Sequence, residues 1–295
     1  MGGAVSAASR LRPALFPALP LERIRVLRVL VSAFVVVDVL TLSKDVLSLI
    51  GTPGFFAPVA LARLLHLPAV TAPVAYALLT VILACCAAGI VGWRPRLTGA
   101  ILAISFWLWM LYSNSYGYVA HDHMALLVAV AVLPTVGGAA GGEERSEAAG
   151  WALRAIQIAV VATYFFSVLP KIMYSGSLAT WGNSAILTWA SLRRGSGLAH
   201  WMVENTPWVF VPAQWAGLAL ETLSPVVLFL RGRALHLAVA LYLGFHLATL
   251  LLLGIHFLPT VLCWAAFLPL ERLRLPAPER FRALIRRRRQ VTQGS

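Results

Sequence analysis

Eight long apolar runs decide what this chain can fold into. They lie near residues 24–42, 70–92, 97–113, 123–136, 151–174, 208–230, 234–252 and 256–270. About 20 consecutive apolar residues are what a helix needs to cross the hydrocarbon core of a bilayer. Inside lipid a helix satisfies its own backbone N–H and C=O groups, so such runs become helices. Composition points the same way, with 60% hydrophobic and 12% charged residues, against about 45–50% and about 25% in soluble domains. The expected fold is therefore all-α, a polytopic transmembrane helix bundle of about eight spans. Residues 22–271 are expected to form the transmembrane domain, between a disordered cytoplasmic tail at 1–21 and a basic cytoplasmic tail at 272–295. The fourth and eighth runs are short. Two further stretches read as interfacial helices: 178–192, with Trp181 and Trp189, and 51–67, with Phe55, Phe56, Arg63 and His66. Pro13, Pro17 and Pro20 interrupt the start, and no cleavable signal is expected. Cys85, Cys86 and Cys263 sit in apolar runs, which excludes a disulfide framework or a cysteine-based zinc site.

Charge distribution orients the bundle. With the N-terminus placed inside, nineteen of the 24 Lys and Arg residues fall on the cytoplasmic side, eight of them between Arg272 and Arg289. Lys44, Arg63, Lys171, Arg193 and Arg194 fall outside. This bias expects both termini to be cytoplasmic in the cell membrane, with an even number of spans. The arginine-rich tail then rests on anionic membrane lipid, and nucleic acid is not an expected partner.

Ionisable groups within spans are costly and mark functional positions. Asp38 is late in the first run, Asp122 and His123 open the fourth, and Lys171 ends the fifth just after Pro170. At a rise of about 1.5 Å per residue these four share the outer level, with His246 about 10 Å and Glu221 about 20 Å deeper. Each has a plain alternative. Lys171 can snorkel to headgroups. Asp122 can cap a helix, and Asp38 can pair with Lys44 or Lys171. His246 can bond a core carbonyl, and Glu221 can bond across helices near Ser224 and Pro225. The tryptophans belong mainly to interfacial belts, though some, Trp181 among them, can line a flat-ring pocket. His121 and His123, two apart, point to different faces of a helix, so no metal site is expected.

The order of these pieces resembles a known family. Asp122-His123-Met124 opens one span, and Tyr164-Phe165-Phe166-Ser167-Val168-Leu169-Pro170-Lys171 ends another ahead of Trp181. Glu221-Thr222-Leu223-Ser224-Pro225, Gly244-Phe245-His246 and Gly254-Ile255-His256-Phe257 follow. The series resembles the HTTM (horizontally transferred transmembrane) family and the membrane domain of the vitamin K-dependent gamma-carboxylase, over about residues 21–270. In the carboxylase a lysine deprotonates vitamin K hydroquinone. Oxygen then adds, and the resulting alkoxide takes a proton from a glutamate γ-carbon. The resemblance implies a quinol cofactor of the vitamin K or menaquinone type. It casts Lys171 as general base and His123 and His246 as catalytic partners, with Asp122, Glu221 and Trp181 at the cofactor. The family's double lysine is here Pro170-Lys171, and its usual asparagine before the histidine is Asp122. No stretch here matches the carboxylase's large lumenal region, so the expected substrate is a peptide or small molecule at the outer face. Some relatives resemble the membrane maturation factor of a secreted toxin peptide, which works with a partner protein. The alternative role is thus a non-catalytic factor in peptide maturation or export. A small-solute transporter would need inverted repeats and broken helices, and the sequence displays neither clearly.

Overall fold

A computed structural model describes residues 15–43, 45–137 and 144–273. Lys44, much of the glycine-rich loop and the arginine run of the tail lie outside the described residues. The chain divides into two compact units, residues 1–156 with 269–295, and residues 157–268.

In the first unit, α1 (Leu21–Val37) buries Ile24, Leu27, Val31 and Val35. That spacing of three and four residues is one helical stripe, and it continues to Asp38. There the helix widens into a π turn, Asp38–Leu42. Such turns are frequent at functional sites. Two short helices follow, α2 (Asp45–Leu49) and α3 (Ala60–Leu64), then α4 (Ala72–Ile90) and α5 (Pro95–Ser113). A Cβ on Gly89 of α4 would lie 2.6 Å from Ser32 Oγ, so the bare glycine leaves room for that hydroxyl where α1 and α4 pack. The α4–α5 turn is tight, with Arg94 left-handed at φ +40° and Pro95 at the first helical position, where its missing N–H costs nothing. Next comes α6 (Met124–Val132), between 3-10 turns His121–His123 and Leu133–Thr135.

One end of this unit gathers the chain's beginning and the residues that follow its last apolar run. The two-residue strands β1 (Leu19–Pro20) and β2 (Arg145–Ser146) pair antiparallel. Arg23 donates two hydrogen bonds to Glu271, at 2.7 and 2.6 Å, and buried Arg28 donates to the Val136 carbonyl at 3.1 Å. Segments that charge counting assigns to one side of the membrane are thereby brought together. At the other end, Ala57 N–H donates to the Ser115 carbonyl at 2.8 Å, joining the two connections expected outside.

Helix α7 (Glu147–Ser175) begins in the first unit and continues into the second. The second unit adds α8 (Leu178–Trp181), α9 (Ala185–Arg194), α10 (Gly197–Asn205), α11 (Phe210–Leu223), α12 (Gly232–Leu253) and α13 (Leu258–Cys263). The outward faces are apolar. Leu237 is 72% exposed and Leu251 63%, as lipid-facing residues would be.

Among the described residues four helices, α4, α5, α7 and α12, are long and apolar enough to span a membrane by themselves. The expected eight are thus only partly matched. The first run is divided between α1 and the π turn, and the fourth is the short helical stretch His121–Thr135. The run 208–230 is broken into Pro207–Val209, α11 and Ser224–Phe229, and the last into α13 and Trp264–Phe267. Pro225 supplies the cause of one break, removing a backbone donor and crowding the preceding turn where α11 ends at Leu223; Pro207 and Pro259 stand in the first turns of their helices. The interfacial stretch 178–192 is two helices, parted at Ser184, whose φ is +74°. In 51–67 only a 3-10 turn, Pro53–Phe55, and α3 are helical.

Candidate functional site

In the second unit α7 presents Tyr164, Val168 and Lys171 along one stripe. Tyr164 and Val168 are buried, while Lys171 and Glu221 have side chains 17% and 16% exposed. Lys171 Nζ forms an ion pair with Glu221 of α11. The Trp181 ring lies over the ammonium, 5.7 Å from Nζ to the centroid, a cation–π contact. Gly176, left-handed at φ +78°, turns the chain from α7 into α8. Ser175 Oγ ties that turn by donating to the Lys171 and Ser177 carbonyls. Ser177 then caps α8, accepting from Thr180 N–H at 3.1 Å.

Gln214, two turns before Glu221 on α11, holds Trp181 in place. Its Nε2 donates to the Trp181 carbonyl, and its Oε1 accepts from Leu187 N–H at 3.3 Å. Beside it, a Cβ on Gly182 would sit 2.6 Å from the Trp215 ring, so this segment lies flat against α11 only because residue 182 is glycine.

Two turns before Lys171, about 10 Å along the helix, Tyr164 hydroxyl is hydrogen-bonded to His246 Nε2 of α12 and accepts from Trp264 Nε1 at 3.0 Å. Trp264 is stacked on Tyr242, 4.5 Å between centroids, and Tyr242 hydroxyl donates to the Leu220 carbonyl at 2.6 Å. His246 is buried among Tyr164, Phe245 and Phe257. Its Nδ1 has no hydrogen-bond partner among the described residues.

The first unit holds a separate buried cluster. His123 Nε2 lies 2.8 Å from Asp38 Oδ1, and its Nδ1 lies 3.1 Å from Asp122 Oδ1. Asp38 is fully buried, and its Oδ2 accepts from Ser43 Oγ at 2.9 Å. Trp109 Nε1 donates to Ser43 Oγ at 3.0 Å. A neutral imidazole carries a single N–H, so satisfying both carboxylates requires a second proton on the ring or on a carboxyl. No group among the described residues is arranged to hold a metal ion. Nearby, on the short α2, burial pushes the Asp45 carboxyl above its ordinary value, opposed by a hydrogen bond from Ser113.

A family model, the HTTM domain, matches residues 19–271. The chain belongs to the HTTM family. No curated protein and no solved structure matches it.

Several expectations for this HTTM chain are sharpened and one is corrected. Lys171, Glu221 and Trp181 are brought together; His246 of α12 meets α7 at Tyr164, two turns before Lys171; Asp122 and His123 join Asp38. One oxygen of Asp122 faces His123 Nδ1. Glu221 was expected about 20 Å deeper than Lys171, yet the two pair directly. The depth rested on rise counted from Trp208 with Lys171 placed at the outer level, and the pairing sets the two residues side by side instead. Gln214, Trp264 and Ser43 were not singled out, and Tyr164 entered only as the first residue of the motif that ends at Lys171. Tyr164 and Gln214 each lie seven residues before a charged residue of their own helix, which puts them on its face, and that spacing was available to find them.

Proposed function

We propose that this HTTM protein is an integral membrane enzyme related to the gamma-carboxylase family, quinol-dependent, acting on a peptide or small substrate at the outer face. Lys171 is its general base. The observation that carries the reading is the Lys171–Glu221 pair beneath Trp181, set on apolar helices with Gln214 behind it.

A lysine base works through its neutral amine. Glu221 is the group placed to take its proton. The charged pair depends on surrounding water, whereas an amine beside a carboxylic acid carries no net charge on either partner. Expelling water from above the pair therefore moves the proton from Lys171 to Glu221 and frees the amine lone pair. Trp181, pinned by Gln214, excludes water from one side. The aromatic wall of Phe245 and Phe257, with the buried unpartnered nitrogen of His246, fits an apolar ring that bears oxygen. When bound, a quinol supplies an acidic hydroxyl and two reducing electrons. His246 orients an oxygen of that ring. His123, clamped by Asp38 and Asp122, holds a proton close to where the outer connections meet α5.

The test is extraction of quinones from protein purified in native membrane discs, quantified by mass spectrometry. A menaquinone-type molecule should be enriched over a control membrane protein and depleted in His246→Leu. Absence of enrichment would remove the quinol reading and favour a non-catalytic maturation factor.

A further inference from the structure

We infer that Tyr164 and Trp264 fix His246 in the tautomer bearing its proton on Nδ1, and that this N–H is the donor for an uncharged oxygen on a flat-ring ligand. The inference deepens the quinol reading by naming the atom that meets the ligand and the two residues that set its state.

The direction of each hydrogen bond follows from the chemistry of the groups. Indole N–H only donates, so Trp264 Nε1, 3.0 Å away, donates to the Tyr164 oxygen. Tyr164 is buried, and its one hydroxyl proton needs an acceptor. The other partner of that hydroxyl is His246 Nε2. If Nε2 carried the ring proton, the tyrosine oxygen would accept twice. Its own proton would then be stranded, and the lone pair on Nδ1 would be unmatched as well. With the proton on Nδ1, Tyr164 donates to Nε2 and a single group is left without a partner. Buried polar groups left unmatched are costly, so the second arrangement prevails. The stack of Trp264 on Tyr242 and its contact with Phe267, 4.7 Å between centroids, keep the indole aimed at Tyr164.

The group left over is informative. His246 is 7% exposed, and Nδ1 has no hydrogen-bond partner among the described residues. Around the imidazole lie the rings of Phe245, 5.3 Å away, and Phe257, 5.1 Å away, between centroids. These rings offer stacking surface and no further polar atom. The complementary ligand is therefore apolar and planar, with an acceptor oxygen on its ring, as in a quinone or phenol. Tyr164 and Trp264 are positioning residues that act through His246.

The experiment is ¹⁵N solid-state NMR of histidine-labelled full-length protein in lipid discs, with the His246 signals assigned by loss in His246→Asn. Nδ1 should show the protonated, pyrrole-type signal and Nε2 the unprotonated one. Adding 2-methyl-1,4-naphthoquinone should shift the Nδ1 signal. In Tyr164→Phe the two tautomers should mix, and naphthoquinone affinity should fall about tenfold, the worth of one hydrogen bond. A protonated Nε2 in the unsubstituted protein would overturn the tautomer assignment whatever Lys171 does. A protonated Nδ1 that naphthoquinone leaves unmoved would overturn the ligand assignment. Failure of Lys171 as a base would leave both NMR results standing, so the two readings fail separately.

Discussion

Asp38 offers the most quantitative handle on the first unit. Its carboxylate is fully buried, 2.8 Å from His123 Nε2 and 2.9 Å from Ser43 Oγ. Asp38→Ala takes the acceptor from both donors and leaves His123 with Asp122 alone. Breaking a buried charged pair by removing one partner costs about 3–5 kcal/mol, and that is the expected loss of stability. His123→Leu should cost a similar amount, because it leaves two carboxylates facing each other without the ring between them. The double variant removes donor and acceptor together and should lose less than the sum, by about 1–3 kcal/mol of coupling. Reversible unfolding in mixed detergent–SDS micelles, followed by tryptophan emission, measures all four corners of the cycle. Additivity within about 0.5 kcal/mol would refute the reasoning, since it would mean that Asp38 and His123 are not coupled.

Three other outcomes are expected. Gly150→Ala should fold poorly and lower the thermal midpoint sharply, because its Cβ would stand 1.7 Å from the Pro17 carbonyl oxygen; a midpoint unchanged in a thermal melt would contradict this packing. The two hydrogen bonds from Arg23 hold the Glu271 carboxyl below its ordinary value of 4.5. A lowered folded-state value means stabilisation present above about pH 4.5 and lost as pH falls through the folded value. The gap in melting midpoint between the unsubstituted protein and Arg23→Ala should therefore narrow on acidification, and a gap constant down to pH 3 would count against the pair. For orientation, a cysteine at Tyr118, 69% exposed, should react with an impermeant thiol reagent in intact cells, and one at exposed Glu144 should not; the reverse pattern would invert the bundle. Ser115 in the same connection is fully buried and would report nothing.

Much of this architecture is legible in the residues because lipid imposes a simple rule. Helices α4, α5, α7 and α12 stand where unbroken apolar runs stand, and the stripe Ile24, Leu27, Val31, Val35 runs on to Asp38 by helical spacing alone. The broken runs were harder. Pro225 lies inside a segment whose hydropathy is continuous, and hydropathy cannot register a missing backbone donor. The site was legible in its ionisable members, since Lys171, Glu221, Asp38 and His246 are conspicuous in apolar surroundings. Their partnerships were not. Depth along each helix brings residues to a level, but rotation decides which of them meet. Lys171 therefore takes Glu221 and Asp38 takes His123, both set by packing that no single helix encodes. Gln214 and Trp264 were hidden because they act on other side chains, Trp181 and Tyr164, whose importance had first to be seen.

The central claim rests on the neutral amine of Lys171, and Lys171→Arg tests it most directly. Arginine keeps the charge, the pairing with Glu221 and the contact with Trp181, but its pKa above about 12 bars it from serving as a base. The measurement is oxygen-dependent consumption of added menaquinol by protein in lipid discs, with the melting midpoint recorded on the same samples. The account expects Lys171→Arg to melt like the unsubstituted protein and to lose turnover to background, with Lys171→Ala equally inactive and partly restored by small primary amines. Turnover retained in Lys171→Arg would contradict it.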